Sequence, residues 1–167
     1  NNGNISDACG ITSVTYIDVA VGTCPTVVTR TWTISDACGN INTCVQTINV
    51  NDTADPVVTT CAVTRNVIGC NTSAITSPAY STTSAASSEA EFESAPNNGN
   101  ISDLCGITAV TYIDVASGTC PITVTRTWTI TDACGNDITC QQIITVTDNV
   151  PPVCSAQNIT VTLDPVT

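Results

Sequence analysis

Apolar and polar residues alternate along several segments of the chain, and this alternation predicts β-strands. In residues 122–130 one face is apolar except for a single arginine, and the positions between are all threonines. A period of two with β-branched residues is typical of a strand that buries one face. The segment from Cys140 onward alternates similarly, and an earlier strand is predicted at about residues 107–115. A Cys-Gly-Asn turn at 134–136 predicts a hairpin between the two strands that flank it.

No segment shows an apolar period of 3.6 residues, so we expect a helix content near zero. Many short strands and turn signals within about 96 residues predict an all-β fold of tandem immunoglobulin-like β-sandwich domains. Trp128 then lies in the core between the sheets. Arg126 shares its face, and we expect it at the rim of the core, stacked on Trp128 or paired with a carboxylate. A ligand-binding Arg–Trp pair is the alternative.

The chain contains one sequence twice. Residues 1–52, the first copy, align without gaps with residues 97–148, the second copy, and 40 of the 52 aligned residues are identical. Four cysteines recur at the same offset of 96 residues, a spacing that suits one small β domain. Such self-similarity is the signature of a repeat architecture. The recurring cysteines are Cys9, Cys24, Cys38 and Cys44, repeated as Cys105, Cys120, Cys134 and Cys140.

Each copy is followed by an Asp- and Pro-containing segment, at 51–58 and 147–153, of the kind that links domains. We therefore place boundaries near residues 53 and 149. Residues 1–52 then form the C-terminal part of a first repeat, 53–148 a complete repeat, and 149–167 the first strand region of a third. We expect the sequence to be a segment of a longer secreted chain. Residues 71–96 are rich in Ser, Ala and Thr and predict irregular strands and loops inside the complete repeat.

The net charge of the chain excludes some classes of binding partner. The chain carries 14 acidic and 3 basic residues, for a net charge of -11. Such a surface repels nucleic acid and anionic lipid. No run of 18 apolar residues exists, so we expect no membrane insertion. We predict neighbouring repeats of the same chain, identical chains in a filament, or an unknown surface ligand as partners.

Eleven cysteines in 167 residues indicate an oxidising, extracellular compartment. Structural zinc is disfavoured because the chain has no His and no CxxC pair. The strand from Cys120 to Cys134 spans roughly 33 Å when extended, so these two cysteines lie at opposite ends and cannot pair. Cys105 begins the preceding strand at the end of the sheet where Cys134 lies, and this position favours a bridge between the two cysteines. The predicted disulfides are Cys105–Cys134, its copy Cys9–Cys38, Cys61–Cys140 and Cys70–Cys120.

The ordered elements GTCP, TRTWT, DACGN and TC occur twice. They resemble the HYR-like, four-cysteine repeats of very large surface and secreted proteins of Bacteroidetes, which often carry gliding-motility or type IX secretion signatures. The resemblance implies an immunoglobulin-like fold, tandem arrays, export, and a role in adhesion, stalks or filaments. It implies no catalytic activity. It also suggests O-glycosylation of Thr53, because Asp52-Thr53-Ala54 matches the consensus of such hosts.

Neither catalysis nor a cofactor is expected from the residue types. Without His the common general base is missing, and each cysteine of the complete repeat has a structural partner to find. Calcium is the one ion to consider, because Asp52, Asp55 and Asp148 near the links could supply hard oxygen ligands together with the turn residues Asp103 and Asp132. Solvated turns are the simpler interpretation of these aspartates.

These observations favour a non-catalytic structural repeat of an extracellular adhesin stalk or surface filament. A glycan- or protein-binding module that uses end loops is the first alternative, and its only candidate for a variable loop is the Ser/Ala-rich segment before Phe92. An accessory domain of a secreted enzyme is the second alternative.

Overall fold

The computed structural model describes residues 3–163, and β-strands dominate it, so the predicted all-β class is confirmed. The strands are β1 (Ile11–Val21), β2 (Thr26–Asp36), β3 (Ile41–Val50), β4 (Val57–Thr60), β5 (Arg65–Ile68), β6 (Ala85–Ser87), β7 (Asn100–Ser102), β8 (Ile107–Ser117), β9 (Ile122–Asp132) and β10 (Asp137–Thr147). Helical structure is confined to a 3₁₀ turn at Thr72–Ala74 and one short helix, α1 (Glu89–Glu93). Neither helix has the length to cross a bilayer, and no helix among the described residues meets that requirement.

The strands form three sheets. β1, β2 and β3 make an antiparallel meander, and β4 pairs with β7. The third sheet has five strands in the order β5-β10-β9-β8-β6, in which β5 runs parallel to β10. The two copies of the repeated sequence therefore supply the same meander, β1–β3 and β8–β10, with equivalent registers. Tyr16 lies opposite Trp32 in one and Tyr112 opposite Trp128 in the other.

The predicted hairpin at 134–136 joins β9 to β10. The Asp132 amide donates to the carbonyl of Asn136 at 3.0 Å, which closes the turn. Gly135 has φ 87°, a conformation that costs glycine little and other residues more. The local sequence thus fits the tight turn that reverses the chain between β9 and β10.

Residues 57–102, which we call the cover, extend β8–β10 at both edges through β5 and β6, and the rest of the segment packs over one face of these strands. Phe92 of α1 packs edge-on against Trp128, with ring centroids 5.1 Å apart. Both side chains are fully buried, and so is Ile75, which packs on the other end of the same face. The Ser/Ala-rich segment, predicted as irregular strands and loops, therefore contributes core residues as well as loops.

Arg126 lies within the core, so its predicted position at the rim is wrong. The side chain is 0 % exposed. It pairs with Asp114 through two hydrogen bonds of 2.7 and 2.8 Å, and it donates to the carbonyls of Pro78 and Ala79 of the cover at 3.1 Å. The alternating pattern identified the inward face. It did not show that the cover and β8 bring enough acceptors to bury a guanidinium.

The first copy has no cover among the described residues. Val14 is 45 % exposed and Tyr16 54 % exposed, against 3 % and 5 % for the equivalent Val110 and Tyr112. The first meander therefore keeps the hydrogen bonds among its own three strands, but its apolar face is bare and the outer edges of β1 and β3 pair with no strand among the described residues.

Residues 149–163 contain no strand, although a first strand was predicted there. A single strand gains its hydrogen bonds only from a neighbour, and no neighbour lies beside this segment in the structure. The rest of that prediction, at 164–167, and the first two residues of the first copy lie outside the described residues.

Candidate functional site

The site is the junction where the end of the first copy meets the turns of the second. The β9–β10 turn is organised by Asp132, whose carboxylate accepts hydrogen bonds from the amides of Cys134 and Asn136 and from the Asn136 side chain, each at 2.8 Å. These bonds fix the position of Cys134 in the turn. A neighbouring turn has the same design, since Asp103 accepts from the Cys105 amide at 2.7 Å.

A disulfide joins the two copies at this point. Cys24, in the β1–β2 turn, is bonded to Cys134, with the Cα atoms 4.9 Å apart and a sequence separation of 110. The Asn136 side chain also donates to the main-chain carbonyl of Asp52 at 3.3 Å. The junction therefore combines a covalent bond with a polar contact from the segment that links the copies.

This bridge replaces the predicted Cys105–Cys134 disulfide. The Cys105 and Cys134 sulfur atoms do lie at the same end of the sheet, within 4.8 Å of each other. The predicted strand layout, with Cys105 and Cys134 at one end of the sheet, is therefore confirmed. Disulfide partners were predicted only within one repeat, because no local pattern places the β1–β2 turn of the first copy against the β9–β10 turn of the second.

A second disulfide joins Cys61 to Cys140, with Cα atoms 5.9 Å apart, and this is the pair expected from the sequence. It attaches the start of the cover to the middle of β10. The remaining two predicted bridges, Cys70–Cys120 and Cys9–Cys38, are not formed, and all four of these thiols are exposed and unbonded. Cys105 likewise remains a free thiol because its predicted partner is used by Cys24.

Three carboxylates converge on the junction. Oxygen atoms of Asp52, Asp103 and Asp132 lie within 4.8 Å of one another. One oxygen of Asp52, Oδ2, is buried and has no hydrogen-bond partner. Asp55 and Asp148, which the sequence analysis grouped with Asp52, belong to no such cluster among the described residues. Hard oxygen ligands of this type suit calcium, and calcium binding here stays a prediction.

The cluster also affects the neighbouring thiol. Contact with the Asp52 carboxylate, together with burial, raises the pKa of Cys105. A raised thiol pKa lowers the fraction of thiolate, the species that attacks disulfides. The raised pKa therefore disfavours attack by Cys105 on the nearby Cys24–Cys134 bond. Since Cys134 is in a disulfide, it offers no thiolate to a metal, although its sulfur lies near Asp52 and Cys105.

Two further sequence-predicted features have clear positions. Thr53 is exposed beside the junction, so its hydroxyl is accessible, and its glycosylation stays a prediction. Arg126 and Trp128 are fully buried, so they present no open surface to a ligand.

No protein-family model and no curated protein sequence matches the chain. The HYR-like resemblance and the properties it implies therefore stay predictions.

Proposed function

We propose that this chain is a non-catalytic structural repeat of an extracellular adhesin stalk or surface filament, built from tandem immunoglobulin-like domains. The Cys24–Cys134 disulfide is the observation that carries the proposal. It connects two copies of one sequence directly, so tension that enters one copy passes to the next through a covalent bond.

The two disulfides divide the chain into parts that can extend and parts that cannot. The Cys24–Cys134 bond closes a separation of 110 residues, and the Cys61–Cys140 bond closes 79. At about 3.5 Å per extended residue, the first bond alone withholds roughly 380 Å of chain. Such a module lengthens little under load, which is the property a stalk requires.

The segment proposed for ligand binding has another role in the fold. Phe92 and Ile75 of the Ser/Ala-rich region are buried in the core. This region therefore acts mainly as the cover of the five-stranded sheet, which supports the structural role over the binding alternative. The disulfides also suit the oxidising surroundings of an exported protein.

Pulling single molecules from both ends tests the proposal. We expect Cys24→Ser to lengthen the fully extended chain by about 110 Å, because the separations of 110 and 79 residues differ by 31. Cys24→Ser combined with Cys61→Ser should add about 380 Å. Cys70→Ser is the matched control and should leave the length unchanged. An unchanged length in the Cys24→Ser chain would show that the bridge carries no load.

A further inference from the structure

The three carboxylates at the junction come from separate segments, and backbone amides orient each of them. Asp52 follows β3, Asp103 lies between β7 and β8, and Asp132 ends β9. The Ala54 amide donates to Asp52 Oδ1 at 2.9 Å, and the Cys105 amide donates to Asp103 Oδ1 at 2.7 Å. Asp132 is held by the bonds of the β9–β10 turn described above. The directions of these side chains are therefore set by the fold itself.

The negative charge of this cluster is not balanced by a basic side chain. The chain has only three basic residues. Arg30 pairs with Asp18 and Arg126 with Asp114, and residues 3–163 contain no other ion pair. Arg65 donates to two main-chain carbonyls of the cover. Because carboxylates are ionised at neutral pH, the three clustered groups repel one another, and a bound cation would remove that repulsion.

One oxygen of the cluster is buried and lacks a partner. Asp52 Oδ2 exposes less than 1 Å² and accepts no hydrogen bond, and no other buried side-chain nitrogen or oxygen of residues 3–163 is in this condition. Burying a carboxylate oxygen without a partner is costly, because the hydration that it loses is not replaced. Since Oδ1 of the same group already accepts from the Ala54 amide, Oδ2 is the atom left to take a ligand.

The spacing of the oxygens fits a single metal ion. Carboxylate oxygens of Asp52, Asp103 and Asp132 lie within 4.8 Å of one another. Calcium holds its oxygen ligands at about 2.3–2.6 Å, so two ligands on opposite sides of the ion are about 5 Å apart. Asp132 is buried, whereas Asp52 and Asp103 are only half-buried. Water can therefore reach one side of the cluster and supply the remaining ligands that calcium requires.

The chemistry of the ligands favours calcium over zinc or magnesium. The sulfur atoms of Cys105 and Cys134 also lie within 4.8 Å of an Asp52 oxygen. Zinc in a site of this kind would use these sulfurs as thiolates, but Cys134 is bonded to Cys24 and cannot ionise. Magnesium demands closer ligands in near-ideal octahedral geometry, whereas calcium accepts irregular sets of carboxylate and water oxygens.

We propose that Asp52, Asp103 and Asp132 bind one Ca²⁺ through a carboxylate oxygen each, with water completing the coordination shell. Of the link aspartates considered for calcium from the sequence, only Asp52 belongs to this site. The ion connects the segment that leaves the first copy to two turns of the second copy, beside the Cys24–Cys134 bond. The inference goes beyond the proposed function, because the site requires neither tension nor a filament.

Titration of the oxidised, chelator-treated chain with CaCl₂, followed by ¹H–¹⁵N NMR, tests the proposal. Salt at about 150 mM screens diffuse attraction of the ion to the acidic surface. The amides of Ala54, Cys105 and Cys134 donate to the three carboxylates. Their resonances should shift saturably with a Kd of roughly 0.1–1 mM, the range of extracellular calcium modules. The Ser81 amide donates to Asp114, which is already paired with an arginine, and should not shift.

Variants at the ligands sharpen the test. Asp52→Asn and Asp103→Asn should each weaken Ca²⁺ binding by about tenfold or more, because each removes a negative ligand. Both keep a side-chain oxygen that can accept the local amide hydrogen bond, so the turns should still form. Asp55→Asn is the matched control, since it makes the same charge change on the same link outside the cluster. It should alter the Kd by less than about twofold.

Four results would overturn the site. They are the absence of saturable shifts up to about 10 mM Ca²⁺, equal shifts with Mg²⁺, equal weakening by Asp55→Asn, and binding of Zn²⁺ in place of Ca²⁺ that is lost in Cys105→Ser. The extension experiment on single chains measures a length set by the disulfides. Loss of the calcium site would therefore leave the proposed function to be decided separately.

Discussion

The two copies of the repeated sequence make the same local contacts in different surroundings. In the first, Arg30 pairs with Asp18 at 2.8 and 2.7 Å, and in the second, Arg126 pairs with Asp114 at 2.7 and 2.8 Å. The first pair is partly exposed, whereas the second is fully buried.

The two tryptophans also make the same hydrogen bond but differ in burial. Trp32 donates to Gln46 at 3.1 Å, and Trp128 donates to Gln142 at 3.2 Å. Trp32 is half-buried, and Trp128 is 0 % exposed beneath Phe92. The two meanders therefore share these internal contacts, and the cover adds burial to the second. Equivalent substitutions in the two copies separate these contributions.

The largest difference in the free energy of unfolding between equivalent variants is expected at the disulfide that attaches the cover. Cys61→Ser should lower the free energy of unfolding by about 4.5 kcal/mol, because the bond closes a loop of 79 residues. Cys44→Ser, at the position equivalent to Cys140, removes no bond within the chain. Urea denaturation of monomeric protein compares the two, and equal losses would mean that the Cys61–Cys140 bridge does not stabilise the fold.

The loss of stability on breaking the ion pair should differ between the two copies almost as much. Arg126→Met leaves Asp114 buried without its partner, and removing one member of a buried pair costs about 4 kcal/mol. Arg30→Met leaves Asp18 in contact with water, so its midpoint in guanidinium chloride should hardly move. A similar shift in both variants would contradict the difference in burial.

Substituting the tryptophans should lower the free energy of unfolding by a smaller amount. Trp128→Phe removes an indole N–H and leaves the Gln142 side-chain oxygen unpaired in the core, at a cost of about 2 kcal/mol. Trp32→Phe should cost less because water can replace the lost donor. Fluorescence tests the same contrast. The Trp32→Phe protein retains only Trp128, which should resist acrylamide quenching, whereas the Trp32 that remains after Trp128→Phe should be quenched readily.

Some elements of the fold could be predicted from the sequence and others could not. The strands β8, β9 and β10 and their hairpin followed from alternation and from the Cys-Gly-Asn turn, because both signals are local. The burial of Arg126 was missed because it depends on carbonyls of Pro78 and Ala79, about 47 residues away in the chain. Spacing alone gives no information on such acceptors.

The junction was missed for a related reason. Asp103 and Asp132 were recognised as turn residues with free oxygens, yet their meeting with Asp52 depends on how the two copies sit together. The pairing of Cys24 with Cys134 was missed because it also depends on how the two copies sit together.

The smallest effects are expected at the turns, where both copies should behave alike. Hydrogen bonds from the Asn40 side chain and amide lower the pKa of Asp36. Burial acts to raise the pKa of Asp132, but the corresponding bonds from Asn136, Cys134 and Gly135 outweigh it and the pKa is lowered. A pKa below the unfolded value of about 4 gives stability that is present above that pH and is lost as the pH falls through the folded value.

Thermal midpoints measured from pH 7 to pH 2 test this expectation. Asp36→Asn and Asp132→Asn should each make the midpoint less sensitive to acid, by similar amounts. An acid sensitivity that is unchanged in both variants would mean that these carboxylates ionise alike in the folded and unfolded chain.

The most direct test of the account is the identity of the partner of Cys134. Non-reducing peptide mapping of the natively oxidised, monomeric chain, digested with pepsin at acid pH to prevent exchange, should yield a peptide pair joining Cys24 to Cys134. A pair joining Cys105 to Cys134 would confine the bridge to one repeat and contradict the covalent link between copies.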